Sequence, residues 1–152
     1  MTDPVEYLEV EDLLRIAQEL INGVVVRDLG LLASAANRPR TSVFGQDAYP
    51  SFPQKVAALM HAIGRNHPLL DGNKRLTWSA GRIFALMNGY DLRMSVDDAE
   101  QMILGIADGS RDVAAIAAAV DQQPALGKPA VILDIVAVDL DVRIELEDGE
   151  IV

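Results

Sequence analysis

The side chains with the greatest chemical capacity lie together in one segment, which reads His67-Pro68-Leu69-Leu70-Asp71-Gly72-Asn73-Lys74-Arg75. Histidine changes its protonation near neutral pH, so His67 is a candidate general base that could take a proton from a hydroxyl nucleophile. Asp71 is a candidate metal ligand, because a carboxylate beside phosphates is a usual partner of Mg²⁺. The segment therefore carries two of the groups that phosphoryl-type transfer requires.

The second half of the segment has the composition of a phosphate-binding turn. A helix predicted to begin near Asn73 would direct unpaired N–H groups and a partial positive charge at the preceding loop. Gly72 allows the backbone to turn and to approach a ligand closely. Lys74 and Arg75 place two cations in the first helical turn, where they destabilise a helix unless an anion lies nearby. Together these features predict a cradle for nucleotide phosphates.

Each of these residues also has an ordinary interpretation when it is taken alone. His67 could end a helix, Asp71 with Gly72 could form a turn, and the two cations could be solvated surface charges. Their arrangement within nine residues favours the functional interpretation.

Outside the segment, Arg82 lies two helical turns beyond Lys74, and it is a further candidate for a phosphate contact because it could face the same cavity.

The composition of the chain excludes several functional classes. The chain has 152 residues, no cysteine and a formal net charge of −10 at pH 7. The lack of cysteine excludes disulfides, thiolate metal sites and a cysteine nucleophile. The net charge argues against general binding of nucleic acids or anionic membranes, and no apolar run has the length of a membrane helix. The acidic N-terminus lacks the apolar stretch of a signal peptide, so we expect a cytoplasmic protein.

The basic residues are concentrated around the candidate site. Residues 38–82 contain seven Lys and Arg against two Asp, so this part has a net charge of +5 and the remainder carries −15. A local cationic centre in an acidic chain suits a small polyanion such as a nucleotide triphosphate. A solvated charged face is the ordinary alternative.

Hydrophobic periodicity predicts a mainly α-helical fold of about six helices. The first four helices are predicted at residues 9–22, 28–36, 53–66 and 73–88. Residues 24–27 are expected to form a short extended link, and residues 41–52 a loop or small hairpin. Ser95 with Asp98 predicts a capping box at the start of the fifth helix, and Ser110 is expected to cap the sixth.

The third predicted helix leads directly into the candidate site. Pro68 disfavours helical geometry at the residue before it, so we expect this helix to end near Asn66. His61, one turn before Arg65, is expected to have a structural role within the same helix.

The last part of the chain has a different pattern. Residues 131–138 are nearly all apolar, and residues 140–146 alternate between apolar and charged, which is typical of a half-buried strand. We predict one long strand or two short ones at 130–147. The chain would then consist of a catalytic helical domain at residues 1–124 and a C-terminal β-strand tail at residues 125–152.

The segment from His67 to Arg75 closely resembles the Fic motif, H-P-F-x-[D/E]-G-N-[G/K]-R. Similarity to the death-on-curing (Doc) branch of the Fic/Doc family continues outside the motif at residues 26–32, 37–39, 47–50, 55–57 and 85–90. The resemblance implies a Fic-like helical bundle. It also implies that residues 42–49 occupy the position of a flap that aligns the target protein.

The resemblance implies a role for each residue of the motif. His67 would deprotonate the target hydroxyl group, and Asp71 would hold Mg²⁺. Gly72 and Asn73 would line an anion hole, and Arg75 would bind a nucleotide phosphate. The implied cofactors are therefore ATP and Mg²⁺.

Lys74 occupies the position that distinguishes the branches of the family. Members that transfer AMP usually have Gly there, which leaves room for the α-phosphate, whereas the death-on-curing branch has Lys. By resemblance to that branch, the chain is expected to be a kinase that presents the γ-phosphate of ATP. The expected target is a threonine of a translation elongation factor, and a partner antitoxin protein is expected to hold the toxin inactive.

Two departures from the family pattern leave alternatives open. Leu69 replaces the usual Phe, and Gly72 stands where the founding toxin type has Ala. The motif therefore leaves AMP transfer open beside phosphoryl transfer. A catalytically idle module that keeps the Fic fold for partner binding is a further alternative.

Overall fold

The computed structural model describes residues 4–121, which contain six α-helices, one 3-10 turn and a two-stranded hairpin. The helices are α1 (Val10–Leu20), α2 (Leu29–Asn37), α3 (Phe52–Asn66), α4 (Asn73–Met87), α5 (Val96–Asp108) and α6 (Val113–Asp121). The 3-10 turn (Arg38–Arg40) follows α2, and β1 (Ser42–Val43) pairs antiparallel with β2 (Gln46–Asp47). The predicted mainly α-helical class is confirmed.

The predicted C-terminal strands at 130–147 lie outside the described residues, as does the proposed tail at 125–152. Both stay predictions, together with the domain boundary after residue 124. Among residues 4–121, no helix combines the length and the apolar character that crossing a membrane requires.

The ends of α3 follow from a capping box and a proline. Ser51 Oγ accepts the N–H of Gln54 at 3.3 Å, while Gln54 Oε1 accepts the N–H of Ser51 at 2.9 Å. Pro53 lies in the first turn, where the missing N–H has no cost. The helix ends at Asn66, as predicted, because Pro68 cannot continue it.

The predicted Ser95 cap of α5 is present, without the reciprocal Asp98 contact of a full capping box, whereas the predicted cap of α6 is not. Ser95 Oγ accepts the backbone N–H three residues later at 3.1 Å and so caps α5. The prediction that Ser110 caps α6 is wrong, because its hydroxyl lies 3.4 Å from Gly105 O in the last turn of α5. Asp112 is the cap of α6, since its Oδ1 accepts the N–H of Ala115 at 2.9 Å.

The two helices that flank the candidate site form the centre of the fold. α3 packs against α2, α4, α5 and α6, and α4 packs against α1, α3 and α5. The large side chains that they bury completely include Leu59, Met60, Ile63, Leu76, Ile83 and Phe84. A loop of residues 67–72 joins these two helices, so both ends of the loop are attached to rigid, buried elements.

Glycines allow α3 and α4 to approach their neighbours closely. Gly64 in α3 faces Ile106 in α5, and a Cβ atom at residue 64 would overlap the Cγ2 methyl group of Ile106. Gly81 in α4 accommodates the side chain of Met60 in α3 in the same way. The spacing of these helices therefore depends on residues that have no side chain.

We predict that Gly64→Ala lowers the free energy of unfolding by about 1–3 kcal/mol, because the added methyl group over-packs a buried β-branched side chain. Chemical denaturation of parent and variant measures the difference. Gly30→Ala is the matched control, since Gly30 lies in the exposed first turn of α2 and its nearest neighbour atom is Asp28 Oδ1 at 3.2 Å. Its effect should stay below about 1 kcal/mol. Equal losses at both positions would contradict the packing argument.

Candidate active site

α3 ends at His67 in an uncommon backbone conformation. His67 has φ 50° and ψ 65°, in the left-handed region, and its N–H donates to Ile63 O at 3.2 Å. Pro68 disfavours the right-handed helical conformation at His67, and the left-handed alternative costs an L-residue about 1–2 kcal/mol. Because His67 is exposed, other contacts of the loop must hold this backbone in place.

The segment between α1 and α2 supplies contacts of this kind. Residues 25–28 lie antiparallel to residues 68–70, with a β-bridge between Val26 and Leu69. The hydrogen bonds of this pairing are Arg27 N–H to Pro68 O (2.8 Å), Asp28 N–H to Pro68 O (3.0 Å) and Leu70 N–H to Val25 O (2.9 Å). The first half of the loop is therefore fixed by a piece of chain that precedes it by about forty residues.

The side chain of Arg27 adds two contacts with the end of α3. Its Nε donates to His67 O at 2.8 Å, and its Nη2 donates to Asn66 O at 2.7 Å. Carbonyl groups at a helix C-terminus lack intrahelical partners, and a cation is favourable there. The local sequence predicts only a link at residues 24–27 and no role for Arg27, because a contact between distant positions leaves no local pattern.

Asn73 closes the loop from its other end. Its Oδ1 accepts the N–H of Leu69 at 2.9 Å, and its Nδ2 donates to Leu69 O at 2.9 Å. Leu69 itself is 1% exposed, as expected for a residue that packs beneath the loop. The side chain of Asn73 thus holds the loop, while its backbone N–H lies at the first position of α4.

α4 begins without a capping side chain. Its N-cap residue Gly72 is left-handed, with φ 90°, and the first turn contains Lys74 and Arg75 but no acidic residue. Asp71 Oδ1 accepts the N–H of Gly72 at 2.8 Å. In α2, α3, α5 and α6 the N-cap side chain accepts an N–H of the first helical turn, from Asp28, Ser51, Ser95 and Asp112 respectively. An uncapped N-terminus with two cations is a favourable place for an anion.

Asp71 provides one exposed carboxylate beside this N-terminus. Among residues 4–121, His, Asp and Glu side chains form no group of three or more that could hold a metal ion. Mg²⁺ commonly binds to one or two carboxylates, with substrate phosphates and water as its remaining ligands. A single Asp next to a phosphate-binding turn fits a site of that kind.

Comparison with known proteins identifies the family. Residues 7–85, just over half of the chain, match the sequence profile of the Fic/DOC family. The chain belongs to the Fic/DOC family. It is also 43% identical over 116 residues to Toxin Doc of Mycolicibacterium smegmatis, an alignment that covers 74% of this chain and 89% of that protein. No solved structure matches the chain significantly.

The residues of the Fic/DOC motif lie at one end of the central helix pair. His67 and Asp71 lie on the exposed loop, and Gly72 is the N-cap of α4. Lys74 and Arg75 are half-buried in the first turn of that helix. The structure thus places the proposed base, metal ligand and phosphate cradle around a single loop, and their catalytic roles stay predictions.

Arg82 lies apart from this group in a buried ion pair. Its Nε donates to Asp91 Oδ1 at 2.9 Å, and both side chains are only 9% exposed. Arg93, which is largely exposed, donates to the same carboxylate at 3.3 Å. Because Arg82 is buried and paired with Asp91, we do not include it in the proposed site, and its contact with a phosphate stays a prediction.

The hairpin expected within residues 41–52 is formed by β1 and β2 and is attached to α3 by Lys55. This lysine is buried, and its Nζ donates to Tyr49 O at 2.7 Å and to Asp47 Oδ2 at 3.3 Å. Phe44, between the two strands, is fully exposed and has a left-handed φ of 52°. The hairpin is therefore held at its base while its turn faces solvent.

His61 belongs to a second network that reaches the same hairpin. Its Nδ1 lies 2.9 Å from Arg38 Nη1, and Arg38 Nε donates to the hydroxyl of Tyr49 at 3.0 Å. Burial and, to a smaller extent, the charges of Arg38 and Arg65 hold the pKa of His61 below its ordinary value of 6.5, while Asp112 acts in the opposite direction. The folded chain thus favours the neutral imidazole, which can accept a hydrogen bond from Arg38.

We predict that Arg82→Met lowers the free energy of unfolding by about 3–5 kcal/mol, because it leaves the buried Asp91 without its closest cation. The double variant Arg82→Met with Asp91→Leu should regain part of this loss, since no buried charge remains. Arg93→Met is the control on the same carboxylate and should cost less than about 1 kcal/mol. Urea denaturation measures all three, and an Arg93 effect as large as that of Arg82 would refute the buried-pair assignment.

A second prediction concerns the pH dependence of stability. The free energy of unfolding should fall as the pH drops below about 6.5, because the unfolded chain then protonates His61 while the folded chain resists protonation. The loss should continue until the pH reaches the lowered pKa of His61 in the folded state. His61→Gln should remove this contribution, since Gln stays neutral and its oxygen can still accept from Arg38.

Urea unfolding of both proteins at a pH of about 7.5 and of about 5.5 measures the effect. At the higher pH both side chains are neutral, which provides the reference. If the variant loses as much stability on acidification as the parent, His61 is not the responsible group.

Proposed function

We propose that the chain is a death-on-curing type toxin that transfers the γ-phosphoryl group of ATP to a hydroxyl group of a target protein. The observation that supports this most strongly is the N-terminus of α4, which has no capping side chain and carries Lys74 and Arg75. Such a terminus favours phosphate binding. The exposed His67 at the other end of the same loop offers a base beside it.

The proposed reaction needs one proton transfer and one phosphoryl transfer. His67 takes the proton of the target hydroxyl group as its oxygen bonds to the γ-phosphorus. The bond between that phosphorus and the oxygen of the departing ADP breaks, and the N-terminus of α4 from Gly72 to Arg75 binds the phosphate oxygens. Mg²⁺, held by Asp71, would neutralise part of the negative charge of the phosphates when it is bound.

Lys74 favours phosphoryl transfer over AMP transfer. By resemblance, family members that transfer AMP keep a Gly at this position to leave room for the α-phosphate. Here a half-buried lysine occupies the first turn of α4 at that point. We therefore propose that ATP binds with its γ-phosphate, rather than its α-phosphate, presented to the target.

The identity with Toxin Doc supports a role in a toxin–antitoxin pair. We propose that a partner antitoxin protein holds the chain inactive, and that the target is a threonine of a translation elongation factor in the cytoplasm. The hairpin of β1 and β2, anchored through Lys55, would align the backbone of the target. This function involves neither a membrane nor direct binding of nucleic acid.

We predict that the full chain, with Mg²⁺ and ATP, transfers label from the γ-position but not from the α-position to an elongation factor. His67→Ala should reduce this transfer by at least about 100-fold, because the base is lost. ATP binding should change little, since His67 lies outside the cradle. Incubation with a cell lysate, followed by mass spectrometry of the labelled band, identifies the modified protein and residue.

The same experiment distinguishes the alternative functions. Label that arrives from α-labelled ATP would replace the kinase assignment with AMP transfer. Binding of ATP without transfer from either position, in the presence of lysate, would favour an idle Fic-fold module that serves only for partner binding.

A further inference from the structure

We propose that Arg27 is the positioning residue for His67. This inference rests on the proposed function, in which His67 is the base. Arg27 contacts three consecutive carbonyl groups of the chain. Its side chain donates to Asn66 O at 2.7 Å and to His67 O at 2.8 Å, and its backbone N–H donates to Pro68 O at 2.8 Å. One residue thus binds both peptide groups that flank His67 and also the peptide group between Pro68 and Leu69.

These contacts determine the direction of the Cα–Cβ bond of His67, from which the side chain extends. A peptide group is planar, so a carbonyl oxygen that is held in place fixes the orientation of its whole plane. The planes that contain Asn66 O and His67 O lie on either side of the His67 Cα atom. Holding both planes fixes φ and ψ of His67, and the direction of its Cα–Cβ bond follows from them.

His67 needs this support because its own surroundings provide little. The residue is exposed and adopts the left-handed conformation, so neither packing nor ordinary backbone preference holds it. A catalytic base works only within a few tenths of an ångström of the productive geometry. The backbone that carries His67 therefore has to fix the Cβ atom, from which the imidazole reaches the target.

The guanidinium group is the side chain that suits this task. Two adjacent carbonyl groups require two donors at a fixed separation, which the planar fork of Arg provides. Lysine would bring the same charge to the end of α3 but has no such fork. The proposal therefore separates the geometric contribution of Arg27 from the general benefit of a cation at a helix C-terminus.

Substitution of Arg27 tests the proposal through the kinetics of phosphoryl transfer from ATP to the elongation factor, measured with the full chain and Mg²⁺. Arg27→Gln should lower kcat about tenfold or more while the KM for ATP stays within about twofold, because the phosphate cradle lies beyond the affected carbonyl groups. Arg27→Lys should give an intermediate kcat, and added guanidinium ion should partly restore the activity of Arg27→Ala.

Arg65→Gln is the matched control. Arg65 also lies at the end of α3 and donates to a helix-terminal carbonyl, that of Ala107, at 2.7 Å, but it does not touch the loop. Its loss should leave kcat within about twofold of the parent. An equal decrease of kcat in the Arg65 and Arg27 variants would overturn the proposal, as would an Arg27→Gln variant with parental kcat.

A second measurement does not depend on catalysis. In the nucleotide-free protein, the backbone carbonyl ¹³C resonance of His67, which is not adjacent to either substituted residue, should shift in Arg27→Gln and change much less in Arg65→Gln. If Arg27→Gln does not fold, the His67 carbonyl resonance of Arg27→Lys is compared with that of Arg65→Gln instead. Unchanged resonances in the Arg27 variant would overturn the proposal, whereas shifted resonances in a parent chain that transfers no phosphoryl group would refute the proposed function alone.

Discussion

The junction of His67 with Pro68 fixes the path of the chain between the two central helices. Proline ends α3 and leaves His67 in a left-handed conformation that costs about 1–2 kcal/mol. Five hydrogen bonds from residues 25–28 and 68–70 and the Arg27 side chain oppose this cost. At roughly 0.5–1.5 kcal/mol for each bond, their sum exceeds the strain. The loop can thus keep the backbone of the exposed His67 in a fixed position without burying the residue.

The same junction determines what α4 presents to the loop. Because the chain turns through Gly72, the first turn of α4 faces the residues that precede it, and its N–H groups have no capping side chain. Lys74 and Arg75 add positive charge where a helix already has a partial positive charge, which is unfavourable for the free protein. A bound phosphate would reverse the sign of that interaction. If the proposed phosphate binds there, it adds a favourable interaction to this helix end.

Local patterns in the sequence predict the parts of this structure that have local causes. Pro68 predicts the end of α3 near Asn66, where the helix ends, and Ser95 predicts the N-cap of α5. The helical spacing of Arg82 predicts that it could face the phosphate site, but nothing in that spacing indicates that Asp91, nine residues later, folds back to pair with it. Arg27 was missed for the same reason over a longer distance. Side chains that serve the site through tertiary contacts leave no periodic signal.

The elements that support the site meet on one rigid body. α3 is buried along most of its length, its C-terminal end carries His67, and Lys55 in its first turns holds the hairpin. A second attachment runs from His61 through Arg38 to the Tyr49 hydroxyl. If the hairpin aligns the target, as proposed, the distance between target and base is set by one helix. Phosphoryl transfer depends on positioning more than on covalent chemistry, so a stiff connection between these two points would serve the reaction directly.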